Sequence, residues 1–308
     1  MRLAFFGTGS FAVPALRALA RSVVLVVTQP DRPSGRGMRL QPTEIKAAAL
    51  ELDRPVVTPD RVRDPAFLES LQELNLDALI VADYGKILPQ AVLDSAKRGG
   101  INLHGSILPK YRGAAPIQRA ILNGERETGV TLMQMERGMD TGAIFDVRKT
   151  PIQPEDTAGE LRARLADLAG QMIADRIEDL IATGGSPHPQ DESKATLAPK
   201  FERSDAELRV TGEADREYNR FRASTPNPGA WIATRFGPLK VHQAKRSDLQ
   251  GEPGTILAAS PLCVIGFAHG SIALIEVGPQ GKPRISGKDF LNGHRLRPGD
   301  RITEPSIA

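Results

Sequence analysis

The sequence predicts an α/β protein: a mostly parallel sheet flanked by helices, followed by a small barrel of short strands. Three observations carry this. Apolar runs of strand length, Leu3–Phe6, Val23–Val27 and Ala78–Ala82, alternate with segments of helical pattern, the rhythm of strand-helix-strand units. A glycine turn, Gly7-Thr8-Gly9-Ser10-Phe11-Ala12, leads the first run straight into a helix. Beyond a polar, breaker-rich stretch near residue 184, five further strand-length runs follow one another, separated by Gly and Pro.

Taken in order, Leu3–Phe6 reads as a short buried strand and residues 7–20 as a turn and helix. The turn matches the G-x-G-x-x-A pattern of dinucleotide-binding folds, so the first domain is Rossmann-like. A nicotinamide site wants an acidic residue ending the second strand to hold the ribose. Val23–Val27 instead runs into Thr28-Gln29-Pro30-Asp31, where prolines hold Asp31 in a rigid loop. The turn is therefore read as strand-to-helix packing, with an NAD-dependent oxidoreductase kept as a remote alternative. Residues 31–40 form a long loop whose glycines and prolines bracket Arg32, Arg36 and Arg39: a solvated connection, or an arm whose guanidinium forks grip phosphates. Thr43 is placed to cap a helix over residues 43–52.

Ala78–Ala82 is apolar throughout, as suits a central strand covered on both faces, and delivers the loop Tyr84-Gly85-Lys86-Ile87-Leu88-Pro89 before a helix over 90–96. Strands at 128–135 and 143–149 complete the sheet. Thr157 with Glu160 forms a capping box opening a long helix with Leu161, Leu165, Leu168 and Met172 on one face. These elements make a first domain of residues 1–183 and a linker of 184–203. The second domain, 204–308, holds a short helix near 214–223 and the strand runs 231–235, 239–244, 255–259, 263–267 and 271–277. Trp231 is expected to anchor its core.

The chemistry concentrates in Ile101-Asn102-Leu103-His104-Gly105-Ser106-Ile107-Leu108-Pro109, continuing to Lys110-Tyr111-Arg112-Gly113-Ala114-Ala115-Pro116. Ile101 and Leu103 alternate with Asn102 and His104, so an amide and an imidazole share one strand face. Gly105 and Pro109 end the strand, placing both groups at a carboxyl edge, where open α/β sheets bind ligands. The small residues 113–115 let backbone approach a planar ligand closely. Asp140, in the loop Arg137-Gly138-Met139-Asp140-Thr141-Gly142, is expected at the next strand's carboxyl end. The plainer reading of each motif is a backbone cap or a turn residue.

The run Asn102-Leu103-His104-Gly105-Ser106-Ile107-Leu108-Pro109 with Asp140 resembles the signature of the 10-formyltetrahydrofolate-dependent formyltransferases. The wider match includes Arg112–Gln118, Gly129–Met135, Met139–Gly142 and Asp289–Gly293, and resembles the branch that formylates methionine esterified to initiator tRNA. Ile107 stands where the family usually has Leu, Asp83 where a small apolar residue is usual, and Thr225-Pro226-Asn227-Pro228 where an aromatic-containing run is usual. The resemblance implies an OB-like barrel for the second domain, with tRNA as its ligand, and 10-formyltetrahydrofolate as formyl donor. It implies catalysis by Asn102, His104 and Asp140, and a folate slot shaped by Ile87, Leu88, Ser106, Ile107, Leu108 and Pro109. It also implies a tRNA contact at Arg36. A formyltransferase acting on a nucleotide-linked amino sugar shares Asn-Leu-His-Gly-Ser and Lys-Tyr-Arg-Gly and is the nearer alternative.

Composition sets the remaining bounds. The amino terminus has too short an apolar run for a signal peptide, and no stretch approaches a membrane span. Cys263 is the only cysteine, which excludes an intrachain disulfide, fits a reducing cytoplasm, and leaves no thiolate metal cluster. Its apolar neighbours make it a core residue. The five histidines show no metal-ligand spacing, so no metal is expected. Residues 204–308 hold 14 Lys and Arg against 11 Asp and Glu, so the whole net charge of +3 falls there: on its own a solvated surface, and the electrostatic platform if a polyanion binds. A cytoplasmic monomer is expected.

Overall fold

The computed structural model describes residues 1–34 and 39–303, the side chains of Ser34 and Arg39 excepted. The chain divides into two compact units. One gathers Met1–Pro116, Glu127–Pro151 and Arg162–Pro199; the other gathers Ile117–Arg126, Ile152–Leu161 and the chain from Lys200 onward.

The first unit begins with β1 (Leu3–Gly7), a 3₁₀ turn at Ser10–Ala12, α1 (Val13–Leu19) and β2 (Val23–Val27). A Cβ on Gly9 would overlap the carboxylate of Asp83, which pairs with Arg162 at 2.8 Å. The glycine turn thus makes room for an ion pair of the protein's own, against the dinucleotide reading. A short ribbon, β3 (Arg32–Ser34) with β4 (Arg39–Gln41), precedes α2 (Glu44–Glu51), where the Thr43 hydroxyl accepts from the Lys46 amide at 3.0 Å, the expected cap. Then come β5 (Val56–Val57), α3 (Pro65–Glu73), β6 (Ala78–Ala82), α4 (Gln90–Leu93) and β7 (Gly100–His104). After α5 (Pro116–Leu122), which from Ile117 belongs to the second unit, follow β8 (Glu127–Gln134) and β9 (Ile144–Pro151) of the first.

The seven-stranded sheet has the order β5-β2-β1-β6-β7-β8-β9. It is parallel from β5 to β7, and β8 and β9 are antiparallel. All five side chains of β6 are buried between β1 and β7, as its unbroken apolar run requires. The reversal at β8 corrects one expectation. Gln134, which ends β8, pairs with Ile101 at the start of β7, so the loop carrying Asp140 leaves from the opposite edge of the sheet to His104. It reaches the site by doubling back over its own strand. A Cβ on Gly142 would overlap the Gln134 carbonyl, and Asp140 takes φ +56°, so the return depends on residues that tolerate such backbone.

The long helix α6 (Ala158–Thr183) opens with the expected capping box: the Thr157 amide donates to Glu160 at 2.9 Å and the Glu160 amide to the Thr157 hydroxyl at 3.3 Å. Leu161, Leu165 and Met172 are fully buried, while Leu168 is half-buried. The polar stretch expected to be a linker, 184–203, has no long helix or strand. Up to Pro199 it nonetheless belongs to the first unit: His188 bridges Ile144, and Leu197 bridges Arg112. Composition shows that the backbone there lacks a regular ladder; it does not show where its hydrogen bonds go.

The second unit contains α7 (Ala214–Ser224) and the strands β10 (Trp231–Thr234), β11 (Gly237–Ser247), β12 (Ile256–Ala258), β13 (Cys263–Gly266), β14 (Ser271–Pro279) and β15 (Ile285–Ser286), then α8 (Gly287–Gly293). The sheet is antiparallel in the order β10-β11-β14-β13-β12, with β15 on β14, curled as a small OB-like barrel. Tyr218, Phe221, Ile232, Cys263, Ile265, Phe267, Leu274 and Phe290 fill its core. Burial pushes the Cys263 thiol up to about 12, an inert core group as expected. Trp231 departs from expectation. It lies on an edge strand whose alternation turns Ile232 inward, and its half-buried ring lines a cavity instead.

Candidate active site

Asn102 and His104 leave β7 on one face, and the returning loop sets Asp140 against both. The Asn102 amide nitrogen lies 3.5 Å from Asp140 Oδ1, and His104 Nδ1 lies 3.6 Å from Asp140 Oδ2. The second distance is longer than a hydrogen bond, and both groups are largely withdrawn from solvent, the imidazole 7% and the carboxylate 18% exposed. His104 Nε2 lies 2.9 Å from the Tyr111 carbonyl. A carbonyl only accepts, so Nε2 carries a proton and fixes the ring, leaving Nδ1 to face Asp140. Asp140 Oδ2 also accepts the Gly113 amide at 2.8 Å. The arrangement offers one carboxamide donor, one ring able to donate from Nδ1, and an acid beside it. That set suits charge developing on a substrate oxygen.

The turn after β7 is held from within. The Ser106 hydroxyl donates to the Lys110 carbonyl at 2.7 Å; the Thr131 hydroxyl donates to the Ser106 carbonyl at 2.7 Å and accepts from the Leu108 amide at 3.1 Å. Ser106 is fully buried, and Leu108 packs with Met133, Ile144 and Val147. Ile107 is half-buried beside Gly129, and Pro109 is half-buried. In the loop after β6, Leu88 is buried in the core around Leu79, Tyr84 and Val92, whereas Ile87 is 85% exposed. Ile87 lines a cavity of about 590 Å³ with Lys86, Arg61 and Arg63. Arg36 lies outside the described residues.

Gly113 has a role other than the one expected. At φ +121° its missing Cβ leaves room for the Ala198 carbonyl, which a side chain would meet at 2.8 Å. The close approach it permits is that of the protein's own backbone.

A family model described as formyl transferase matches residues 1–177, and one described as formyl transferase, C-terminal domain, matches residues 200–295. Methionyl-tRNA formyltransferase of Thermus thermophilus is 41% identical over 305 residues, covering 98% of this chain and 99% of the relative. That of Solibacter usitatus is 42% identical over 309 residues, covering 99% of each.

The chain belongs to the methionyl-tRNA formyltransferase family.

Among solved structures, an N-formyltransferase from Helicobacter canadensis in complex with folinic acid and dTDP-3-aminofucose superposes with a TM-score of 0.69 at 20% identity, covering 89% of this chain and 98% of that one. HypX from Aquifex aeolicus in complex with tetrahydrofolic acid gives 0.65 at 19%, covering 94% of this chain, which spans about half of HypX's length. At those identities the likeness is one of fold.

For this member of the methionyl-tRNA formyltransferase family, sequence reasoning missed the groups that hold the trio in place. Gln190 donates from one amide nitrogen to the Asp140 and Gly142 carbonyls, at 2.8 Å each. Buried Arg112 bonds Gln190 and Glu192. Nothing in a polar, proline-rich stretch signals such a role. Among the described residues no group of three or more His, Cys, Asp or Glu is placed to hold a metal, and no helix is long and apolar enough to cross a membrane.

Proposed function

We propose that the protein transfers the formyl group of 10-formyltetrahydrofolate to the α-amine of methionine esterified to initiator tRNA, with Asn102, His104 and Asp140 as the catalytic residues. The observation that carries the reading is the convergence of an amide and an imidazole on one carboxylate, at 3.5 and 3.6 Å, in a chain about 40% identical over nearly its whole length to proteins named for this activity. Attack of the amine on the formyl carbon gives a tetrahedral centre whose oxygen gains charge. The Asn102 Nδ2 and protonated His104 Nδ1 donate to that oxygen while Asp140 accepts the proton the amine releases; collapse of the centre breaks the bond from the formyl carbon to N10, which takes up that proton as tetrahydrofolate leaves. The substrate amine is nucleophile enough, and the Ser106 hydroxyl is already committed to the Lys110 carbonyl, which argues against a covalent acyl carrier.

The folate is assigned to Ile87, Leu88, Ser106, Ile107, Leu108 and Pro109, of which exposed Ile87 offers an apolar surface to a planar ring. The barrel is assigned to tRNA. It carries a cavity of about 430 Å³ lined by Arg203, Trp231, Lys240, His242, Lys282 and Arg284, cations beside an aromatic ring, as phosphate and base contacts require. Arg36 is assigned to the acceptor end of the tRNA. The reaction is cytoplasmic, where initiator tRNA is charged.

The test offers labelled 10-formyltetrahydrofolate with methionyl initiator tRNA and, separately, with a nucleotide-linked amino sugar. Label is expected on the tRNA; label on the sugar alone would overturn the reading in favour of the sugar enzyme. Calorimetric titration with NAD is expected to give no heat of binding, consistent with Asp83 filling the space above Gly9.

A further inference from the structure

We infer that Gln190 is a positioning residue for Asp140, held in its working orientation by Arg112, so that the segment 188–198 governs turnover without touching substrate. The inference rests on the catalytic reading of Asn102, His104 and Asp140 given above.

The Asp140 turn has an inherent weakness. It lies in a loop that doubles back across the sheet, and a non-glycine residue there holds φ +56°, a conformation that persists only when the surroundings impose it. Its main-chain carbonyls at 140 and 142 are both taken by the Gln190 amide nitrogen, at 2.8 Å each. A carboxamide can be turned over, exchanging donor for acceptor. Here it cannot, because its oxygen accepts from Arg112 Nε at 3.1 Å and Nη2 at 2.7 Å. Arg112 has no alternative orientation either: its remaining donors reach Glu192 Oε1 and Oε2 at 2.7 and 2.8 Å, and the residue is 5% exposed. The chain of orientation runs from Glu192 to Arg112 to Gln190 to the two carbonyls.

The same segment secures the other side of the trio. The Thr196 carbonyl accepts the Arg112 amide at 2.8 Å and the Thr196 hydroxyl accepts the Tyr111 amide at 2.9 Å, while the Ala198 amide donates to the Arg112 carbonyl at 2.6 Å. Tyr111 supplies the carbonyl that fixes His104 Nε2, and Gly113 the amide that Asp140 Oδ2 accepts. Asp140 and His104, which stand 3.6 Å apart without a hydrogen bond between them, are thus indexed to one another through residues 188–198. Displacement of a catalytic group by about 1 Å costs on the order of a hundredfold in rate.

Four purified full-length variants test this: Gln190→Ala, Gln190→Glu, Asp140→Ala and the double variant Gln190→Ala with Asp140→Ala. Glutamate keeps the size of the side chain and its bonds to Arg112 but has no hydrogen to give the two carbonyls. Both single Gln190 variants are expected to lose roughly 10- to 100-fold in kcat, with KM for tRNA and for the formyl donor within about twofold and an unchanged thermal midpoint. In the double variant the Gln190 change is expected to add nothing to the loss from Asp140→Ala, because two groups acting through one another are not additive. Wild-type kcat in Gln190→Glu, or a full additional loss in the double variant, would overturn the inference. Near-normal turnover in Asp140→Ala would instead sink the catalytic reading itself. If Gln190→Ala fails to fold, Gln190→Glu still decides.

Discussion

At the end of β7 the donors and acceptors are spent on one another: His104 Nε2 on Tyr111, Asp140 Oδ2 on Gly113, Gln190 on two carbonyls and on Arg112. In the cavity of the barrel the cations have few such partners. Among the described residues Arg203, Lys240 and Lys282 have no carboxylate within ion-pair distance, and Arg284 has Glu276 at 3.6 Å. The first region has its geometry set by its own hydrogen bonds, as stabilising a transition state would demand; the second keeps charge available, as attraction of a polyanion would. The contrast teaches how to tell a site of chemistry from a site of attraction when both are polar.

The contrast breaks most sharply in the first region. Asn102→Ala and His104→Ala, each removing one of the two donors proposed for the oxyanion, are expected to lower turnover by about 10²–10³, with Asp140→Ala comparable and secondary structure by circular dichroism unchanged. Turnover within a few fold of wild type in any of them would remove that residue from the mechanism. In the second region Lys240→Ala with Lys282→Ala should raise the KM for tRNA by about tenfold, leave kcat at saturation alone, and flatten the log–log salt dependence by about two. An unchanged salt slope would show that the cavity meets no phosphate.

Away from both regions, Thr157→Ala removes the capping box of α6 and is expected to cost about 1 kcal/mol in denaturant unfolding, with kcat intact. A loss of turnover there would mean that ordinary stability, not preorganisation, limits the first region. The smallest effect is one of pH. His294 stacks 4.1 Å from Phe236 and 4.7 Å from Phe290, and its burial, with Lys282 and Arg235 nearby, holds the imidazole below its ordinary 6.5. The unfolded chain takes up the proton first, so this contribution to stability is complete above about pH 6.5 and is lost as pH falls through the window below it. Midpoint against pH should therefore flatten in His294→Gln, and partly in Lys282→Ala; a slope unchanged in both would mean that the open cations of the barrel exert no field on it.

Legibility followed the range of the interactions. The buried run of β6, the Thr43 cap, the Thr157 and Glu160 box, the alternation at Asn102 and His104 and the inertness of Cys263 are local patterns, and each is set by residues a few positions apart. Trp231 was misjudged because composition says that an aromatic ring seeks burial, while the strand's alternation and edge position decide which face it takes. The stretch 184–203 reads as a connection because the partners of its first part, Arg112, Ile144 and the Asp140 turn, lie 44 or more residues away in the chain.

By itself the chain determined the main strands and helices, the caps that open α2 and α6, and that an amide and an imidazole stand on one face of β7; these rest on side-chain period, caps and backbone preference, which act within a few residues. Only the tertiary structure decided that β8 turns antiparallel, that the Asp140 loop returns across the sheet, and that a carboxamide 50 positions on holds it there. Those outcomes depend on hydrogen bonds between distant backbone groups, and a linear pattern does not encode which buried carbonyl a distant donor will satisfy.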